Sequence, residues 1–139
     1  MSVRSRSADV AKILIVEDNP NNISLAMFLL QSAGHITLRA TDAEAGLALA
    51  RDEHPDLILM DIQLPDMDGL EATRILKRDG ATCAIPVIAV TALALKGDEE
   101  RIRAAGCDGY VAKPIHYKDF LATVAAHLVG RMNARPPAN

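Results

Sequence analysis

The sequence has no tryptophan and only two tyrosines and two phenylalanines in 139 residues. Single-stranded nucleic acids and sugars are held largely by stacking on aromatic platforms, so this scarcity argues against both. The formal net charge of −3 leaves no clustered basic footprint for a phosphate backbone, and nucleic acid is excluded as an expected partner. Long apolar runs are missing too. Met1 to Asp9 holds two arginines and three serines but no apolar core of a signal sequence, and nothing approaches a membrane span. A cytoplasmic protein away from membranes is expected. Two cysteines, Cys83 and Cys107, are too few for a disulfide framework, and the histidines at 35, 54, 116 and 127 fall at no zinc spacing. Both cysteines read as buried small apolar side chains. No glycine-rich phosphate loop is present, which removes a nucleotide substrate.

What is present is a composition 50% hydrophobic and 24% charged, enough for one domain with a core of its own. Three short unbroken apolar runs, Ile13 to Val16, Leu57 to Met60 and Val87 to Val90, read as strands covered on both faces, the mark of a parallel sheet. Ile36 to Arg39 and Tyr110 to Ala112 are more mixed, as edge strands are. Between them lie helix signals. Asn19-Pro20 predicts an N-cap and first turn, with Ile23, Met27 and Leu30 at helical spacing and Gly34 as the stop. Thr41-x-x-Glu44 predicts a capping box and a helix to about Glu53; Asp68-x-x-Glu71 predicts another. Asp98 to Glu100 puts acids on a first turn with Gly106 as its end. Phe120, Leu121, Val124 and Leu128 mark a last helix that Gly130 is expected to terminate. The alternation predicts an α/β domain, doubly wound, with (βα) repeated five times and helices on both faces. The expected divisions are a flexible extension over 1–10, the domain over 11–129 and a flexible tail over 130–139. Cys83 and Cys107 fall near the N-terminal ends of the last two strands, where a disulfide is conceivable but disfavoured in a cytoplasmic protein.

In an open parallel sheet, ligands bind outside the carboxyl ends of the strands. The first strand runs into Glu17-Asp18, the third into Asp61, the fourth into Thr91 and the last into Lys113-Pro114. Alone, each of these residues suits a turn, a cap or a solvated surface. The topology forces them together. Three carboxylates in one crevice repel, so a cation must compensate, and hard oxygen donors without nearby cysteine or histidine select Mg²⁺ or a similar hard ion. Glu17, Asp18 and Asp61 carry −3; Mg²⁺ and Lys113 carry +3. Such a pocket suits a phosphoryl group in transfer, with a carboxylate as nucleophile. An EF-hand is excluded, since alignment on Asp66-x-Asp68-Gly69 places Leu64 and Ile75 at ligand positions. A phosphatase-type hydrolase with a strand-end aspartate is a weaker reading, because the D-x-D at Asp66 and Asp68 falls in a loop and no cap insertion exists.

The segments Ile13 to Asn19, Leu57 to Gly69, Ile85 to Ala92 and Tyr110 to Ile115 resemble the receiver domain of bacterial two-component response regulators. The resemblance spans about residues 11 to 129, with its motifs on four strand ends in order. Lys96 to Arg103 followed by Gly106-Cys107 is similar to single-domain cell-division regulators of the DivK type.

The resemblance implies a flavodoxin-like fold with strand order 2-1-3-4-5. It implies that Asp61 accepts a phosphoryl group from a histidine on a kinase or phosphotransfer protein. Asp18 and Asp61 would bind Mg²⁺ directly, with the Gln63 carbonyl as a third protein ligand and Glu17 acting through water. Lys113 and Thr91 would contact phosphoryl oxygens, the small Ala92 would leave access, and Pro114 would follow a cis peptide that aims Lys113 inward. Acyl phosphate formation adds about one negative charge and three acceptor oxygens. Thr91 would move inward and Tyr110 would turn from exposed to buried, altering the surface of the fourth helix, last strand and last helix for a downstream protein. Gln63 and Leu93 stand where phosphate lifetime is tuned. The protein would be no enzyme beyond its own phosphorylation and dephosphorylation. The alternatives within signalling are a phosphate sink, a relay receiver, or a receiver belonging to a hybrid histidine kinase. With about ten residues after Gly130, the expectation is a stand-alone switch that signals through its own surface.

Overall fold

A computed structural model describes residues 10–92 and 96–134. Leu93, most of the expected N-terminal extension and residues 135–139 lie outside them. Five strands, β1 (Lys12–Val16), β2 (Ile36–Ala40), β3 (Leu57–Asp61), β4 (Val87–Thr91) and β5 (Gly109–Ala112), alternate with α1 (Pro20–Ser32), α2 (Ala43–Glu53), α3 (Gly69–Arg78), α4 (Lys96–Ala104) and α5 (Tyr117–Ala134). All strand pairs are parallel and the order is β2-β1-β3-β4-β5, as the resemblance implies.

Side chains along a strand alternate between faces, and here they divide the core in two. Ile13, Ile15, Leu57, Leu59, Ile88, Val90 and Val111 join Leu29 and Leu30 of α1 and Phe120 and Val124 of α5. Leu14, Val16, Ile58, Met60, Val87 and Ala89 face Leu47 of α2, Leu70 and Leu76 of α3 and Ile102 of α4. β3 and β4 are buried at every position, which accounts for their unbroken apolar sequence. Each large aliphatic side chain so enclosed contributes roughly 1.5–3 kcal/mol. β2 and β5 are the edges and carry the mixed sequences.

Helix ends follow local chemistry. Asn19 Oδ1 accepts from the amides of Asn21 and Asn22, with Pro20 opening α1. Gly34, at φ +94°, then lets the chain turn back, so that the His35 amide reaches the Leu30 carbonyl at 3.0 Å. Asp68 caps α3 through the Leu70 amide.

Three expectations need correction. The cap of α2 is Asp42 rather than Thr41: its carboxylate accepts from the Ala45 amide at 2.8 Å, which puts Glu44 too early in the helix for the capping box. Gly130 does not end α5, which continues to Ala134. Glycine in a helix costs about 1 kcal/mol relative to alanine but keeps its N–H donor, so it stops a helix only where the chain takes another conformation. Cys83 is exposed, in the turns between α3 and β4, whereas Cys107 is buried with its sulfur 3.8 Å from Thr73 Oγ1; both are free thiols.

Candidate active site at the carboxyl edge of the sheet

The central strands and β5 are stitched for one step past their carboxyl ends. The Glu17 amide donates to the Ala40 carbonyl (3.0 Å), the Ile62 amide to Val90 (3.2 Å) and the Lys113 amide to Thr91 (2.8 Å). This extension holds the residues that follow the apolar runs as firmly as the runs themselves. Asp61 and Thr91 are the last residues of β3 and β4, and both are buried, as is Glu17. Asp18, beside Glu17, is exposed.

Lys113 Nζ lies 3.2 Å from Glu17 Oε1 and 3.2 Å from Asp61 Oδ1. The acids are fixed further by main-chain donors: Glu17 Oε2 accepts from the Asn19 amide at 3.2 Å and Asp61 Oδ1 from the Gln63 amide at 3.1 Å. The Lys113–Pro114 peptide is cis. Burial, then the charge of Glu17 and a hydrogen bond with it, push the Asp61 pKa up to about 6, against the opposing pull of Lys113 and the Gln63 amide. Burial would lower the Lys113 pKa, but the carboxylates of Asp61 and Glu17 outweigh it and the ammonium form is favoured.

One carboxylate oxygen each from Glu17, Asp18 and Asp61 lie within 4.8 Å of one another. At such a separation two unit charges repel by roughly 3 kcal/mol at an effective dielectric near 20. Three carboxylates against one ammonium leave a formal −2 in a largely buried crevice. The donor set is hard oxygen, and burial together with the neighbouring Glu17 charge already disfavours the ionised form of Asp61. These residues therefore fit a divalent cation such as Mg²⁺. With that charge neutralised, the Asp61 carboxylate can act as a nucleophile toward a phosphoryl group that enters the crevice.

The other expected residues take the following places. Ala92 is exposed beside Thr91. Tyr110, paired in register with Ala89, is half-buried against the core on the α2, α3 and α4 side. Gln63 is exposed, in a loop that folds back through an antiparallel bridge between Gln63 and Asp68.

Asp66 escaped the sequence reading, which saw it only as part of D-x-D. Its two oxygens accept from the Ala43 amide (2.8 Å) and the Glu44 amide (3.0 Å) at the start of α2. The signal for it lies at the start of α2. Asp42 reaches only the third amide of the helix, which leaves the first two wanting an acceptor from elsewhere.

Residues 13–125 match the family model of the response regulator receiver domain. The chain belongs to that family. Receivers are the phosphotransfer switches of two-component signalling, and the fold and strand-end acids agree with that membership. The chain is 52% identical over 116 residues to the polar-differentiation response regulator DivK of Brucella ovis, covering 84% of this chain and 94% of the relative. The DivK of Brucella anthropi is 51% identical over the same length. Among solved structures, a CheY-like receiver from Methanospirillum hungatei superposes with a TM-score of 0.84 at 28% identity, covering 91% of this chain and 99% of that one. The receiver of the sensor histidine kinase PA1611 from Pseudomonas aeruginosa, which has a magnesium ion coordinated in its active-site cleft, gives 0.78 at 36% identity, over 86% of this chain and 98% of its own. Among the described residues of this receiver, no helix is long and apolar enough to cross a membrane.

Proposed function

We propose that this receiver accepts a phosphoryl group on Asp61 from the phosphohistidine of a histidine kinase or phosphotransfer protein, and that phosphorylation switches a protein-binding surface. The observation that carries the assignment is the buried Asp61 carboxylate sharing the Lys113 ammonium with Glu17 beside the exposed Asp18. An Asp61 oxygen forms the new P–O bond as the donor's P–N bond breaks, and the electron pair of that bond returns to the imidazole nitrogen. Lys113, already between two carboxylates, is placed to follow charge onto the phosphoryl oxygens. Asp18, Asp61 and the Gln63 carbonyl would hold Mg²⁺, with Glu17 acting through water; bound there, the ion supplies neutralisation of the phosphoryl oxygens. Thr91 donates to a phosphoryl oxygen after transfer, and the half-buried Tyr110 follows it inward.

The output leaves through the surface of α4, β5 and α5 to another protein in the cytoplasm, without nucleic acid or membrane contact and without activity on other substrates. Support for a stand-alone switch, rather than a phosphate sink or part of a hybrid kinase, comes from the DivK relatives, of which the match covers 94%. Incubation with Mg²⁺ and acetyl phosphate should add one acid-stable, base-labile phosphoryl group by intact mass. Asp61→Asn should abolish it. An adduct that survives in that variant refutes the assignment of Asp61.

A further inference from the structure

The loop between β3 and α3 connects the site to an element that contributes no residue to it. Its base is tied to the site: the Gln63 amide donates to Asp61 Oδ1, and the Gly69 amide donates to the Ile62 carbonyl at 2.7 Å. Its far side is tied to α2 through Asp66, whose two carboxylate oxygens take the amides of Ala43 and Glu44. Those hydrogen bonds hold the Asp66 carboxyl below the ordinary carboxylate range, so it stays ionised through neutral and mildly acid pH. Leu64 and Met67 pack on the core on either side of Asp66. The first three amides of α2 are thus closed by two carboxylates of different origin. Asp42 is local to the helix, and Asp66 reaches across from the loop.

We infer that Asp66 is a positioning residue for the divalent-cation site: by clamping the loop to the start of α2 it fixes Gln63, and with it the main-chain oxygen offered to the ion. This rests on the proposed function of the Glu17, Asp18 and Asp61 cluster. The geometry makes a distinction that helix capping alone does not. Removal of Asp42 weakens the same helix end but leaves the loop clamped, whereas removal of Asp66 frees the loop.

The test is Mg²⁺ titration by calorimetry of the full chain, together with hydrogen exchange of the Gln63 amide without the ion. Asp66→Ala should bind Mg²⁺ roughly tenfold more weakly, the low end of what loss of an outer-shell partner does to metal affinity. Asp66→Asn keeps one acceptor oxygen and should fall between it and the parent. Asp42→Ala should stay within about twofold of the parent. Gln63 exchange should accelerate in the Asp66 variants and not in Asp42→Ala. Parental affinity in Asp66→Ala, or equal weakening in Asp42→Ala, overturns the inference while the site itself stands. If Asp66→Ala does not fold, Asp66→Asn decides alone, and parental affinity there overturns the inference. A parent protein that binds no Mg²⁺ overturns the reading of the acidic cluster and this inference with it.

Discussion

Gly69, the first residue of α3, lies against the main chain of Asp61, so close that a Cβ at Gly69 would overlap the Asp61 carbonyl oxygen. The obstacle is backbone, which cannot swing aside as a flexible side chain does. Gly69→Ala should therefore destabilise the protein by about 1–3 kcal/mol, as overpacking does, and disturb the strand end that carries Asp61. Gly80→Ala meets nothing within 4 Å and should be neutral or slightly stabilising, because it restricts the unfolded chain. Urea unfolding of the two variants separates packing from the general effect of replacing glycine.

Asp61 carries a stability cost that depends on pH. Its pKa is about 6 in the folded protein against an ordinary 3.8. A carboxyl raised in this way contributes stability that is fully present below about pH 4 and is lost as pH rises through 6. In Mg²⁺-free buffer at pH 7.5, Asp61→Asn should raise the unfolding free energy by on the order of 1–2 kcal/mol, and the gain should vanish near pH 4. Mg²⁺ should stabilise the parent more than the variant. Denaturant unfolding with and without Mg²⁺ at the two pH values checks all of these outcomes.

His35 pulls the opposite way at the other end of the sheet. Its Nδ1 lies 3.2 Å from the Ala11 amide and accepts from it, which requires the neutral ring, and burial holds its pKa below 6.5 against the upward pull of Asp56. A histidine depressed on folding contributes stability that is present above 6.5 and lost as pH falls. In an Asp61→Asn background, where the opposing slope is gone, stability should decline between pH 7 and pH 5.5. His35→Asn retains an acceptor and should flatten that decline. An unchanged slope in His35→Asn would remove His35 as its source.

The legible and illegible parts of this protein divide by how far the determining interaction reaches along the chain. Strand identity was readable because β3 and β4 are enclosed on both faces and leave no room for a polar residue before Asp61 and Thr91. Parallel topology then brings Glu17, Asp61 and Lys113 to one edge whatever the details of packing. Helix ends were less secure. Thr41 and Asp42 are both good caps, and the choice between them depends on which oxygen reaches an amide in three dimensions. Asp66 was out of reach for the same reason, since its partners lie 23 and 22 residues away. Gly130 misled because propensity is a weak force beside a helix anchored by the buried Phe120, Val124 and Leu128.

Among the described residues, Lys113 is the one cation in contact with two buried acids, so its removal tests the electrostatic balance of the crevice directly. Lys113→Ala leaves Glu17 and Asp61 facing each other without the shared ammonium, and loss of one partner from a buried ionic group costs up to about 3–5 kcal/mol. The expected loss in Mg²⁺-free buffer lies at the lower end, about 2–3 kcal/mol, because Asp61 can take up a proton instead of remaining charged. Adding Asp61→Asn should recover part of it, since one of the two opposed charges is then gone. A double-mutant cycle of Lys113→Ala and Asp61→Asn by urea unfolding should show coupling of at least about 1 kcal/mol. Strict additivity would mean that Lys113 acts through its aliphatic stem or through Glu17 alone.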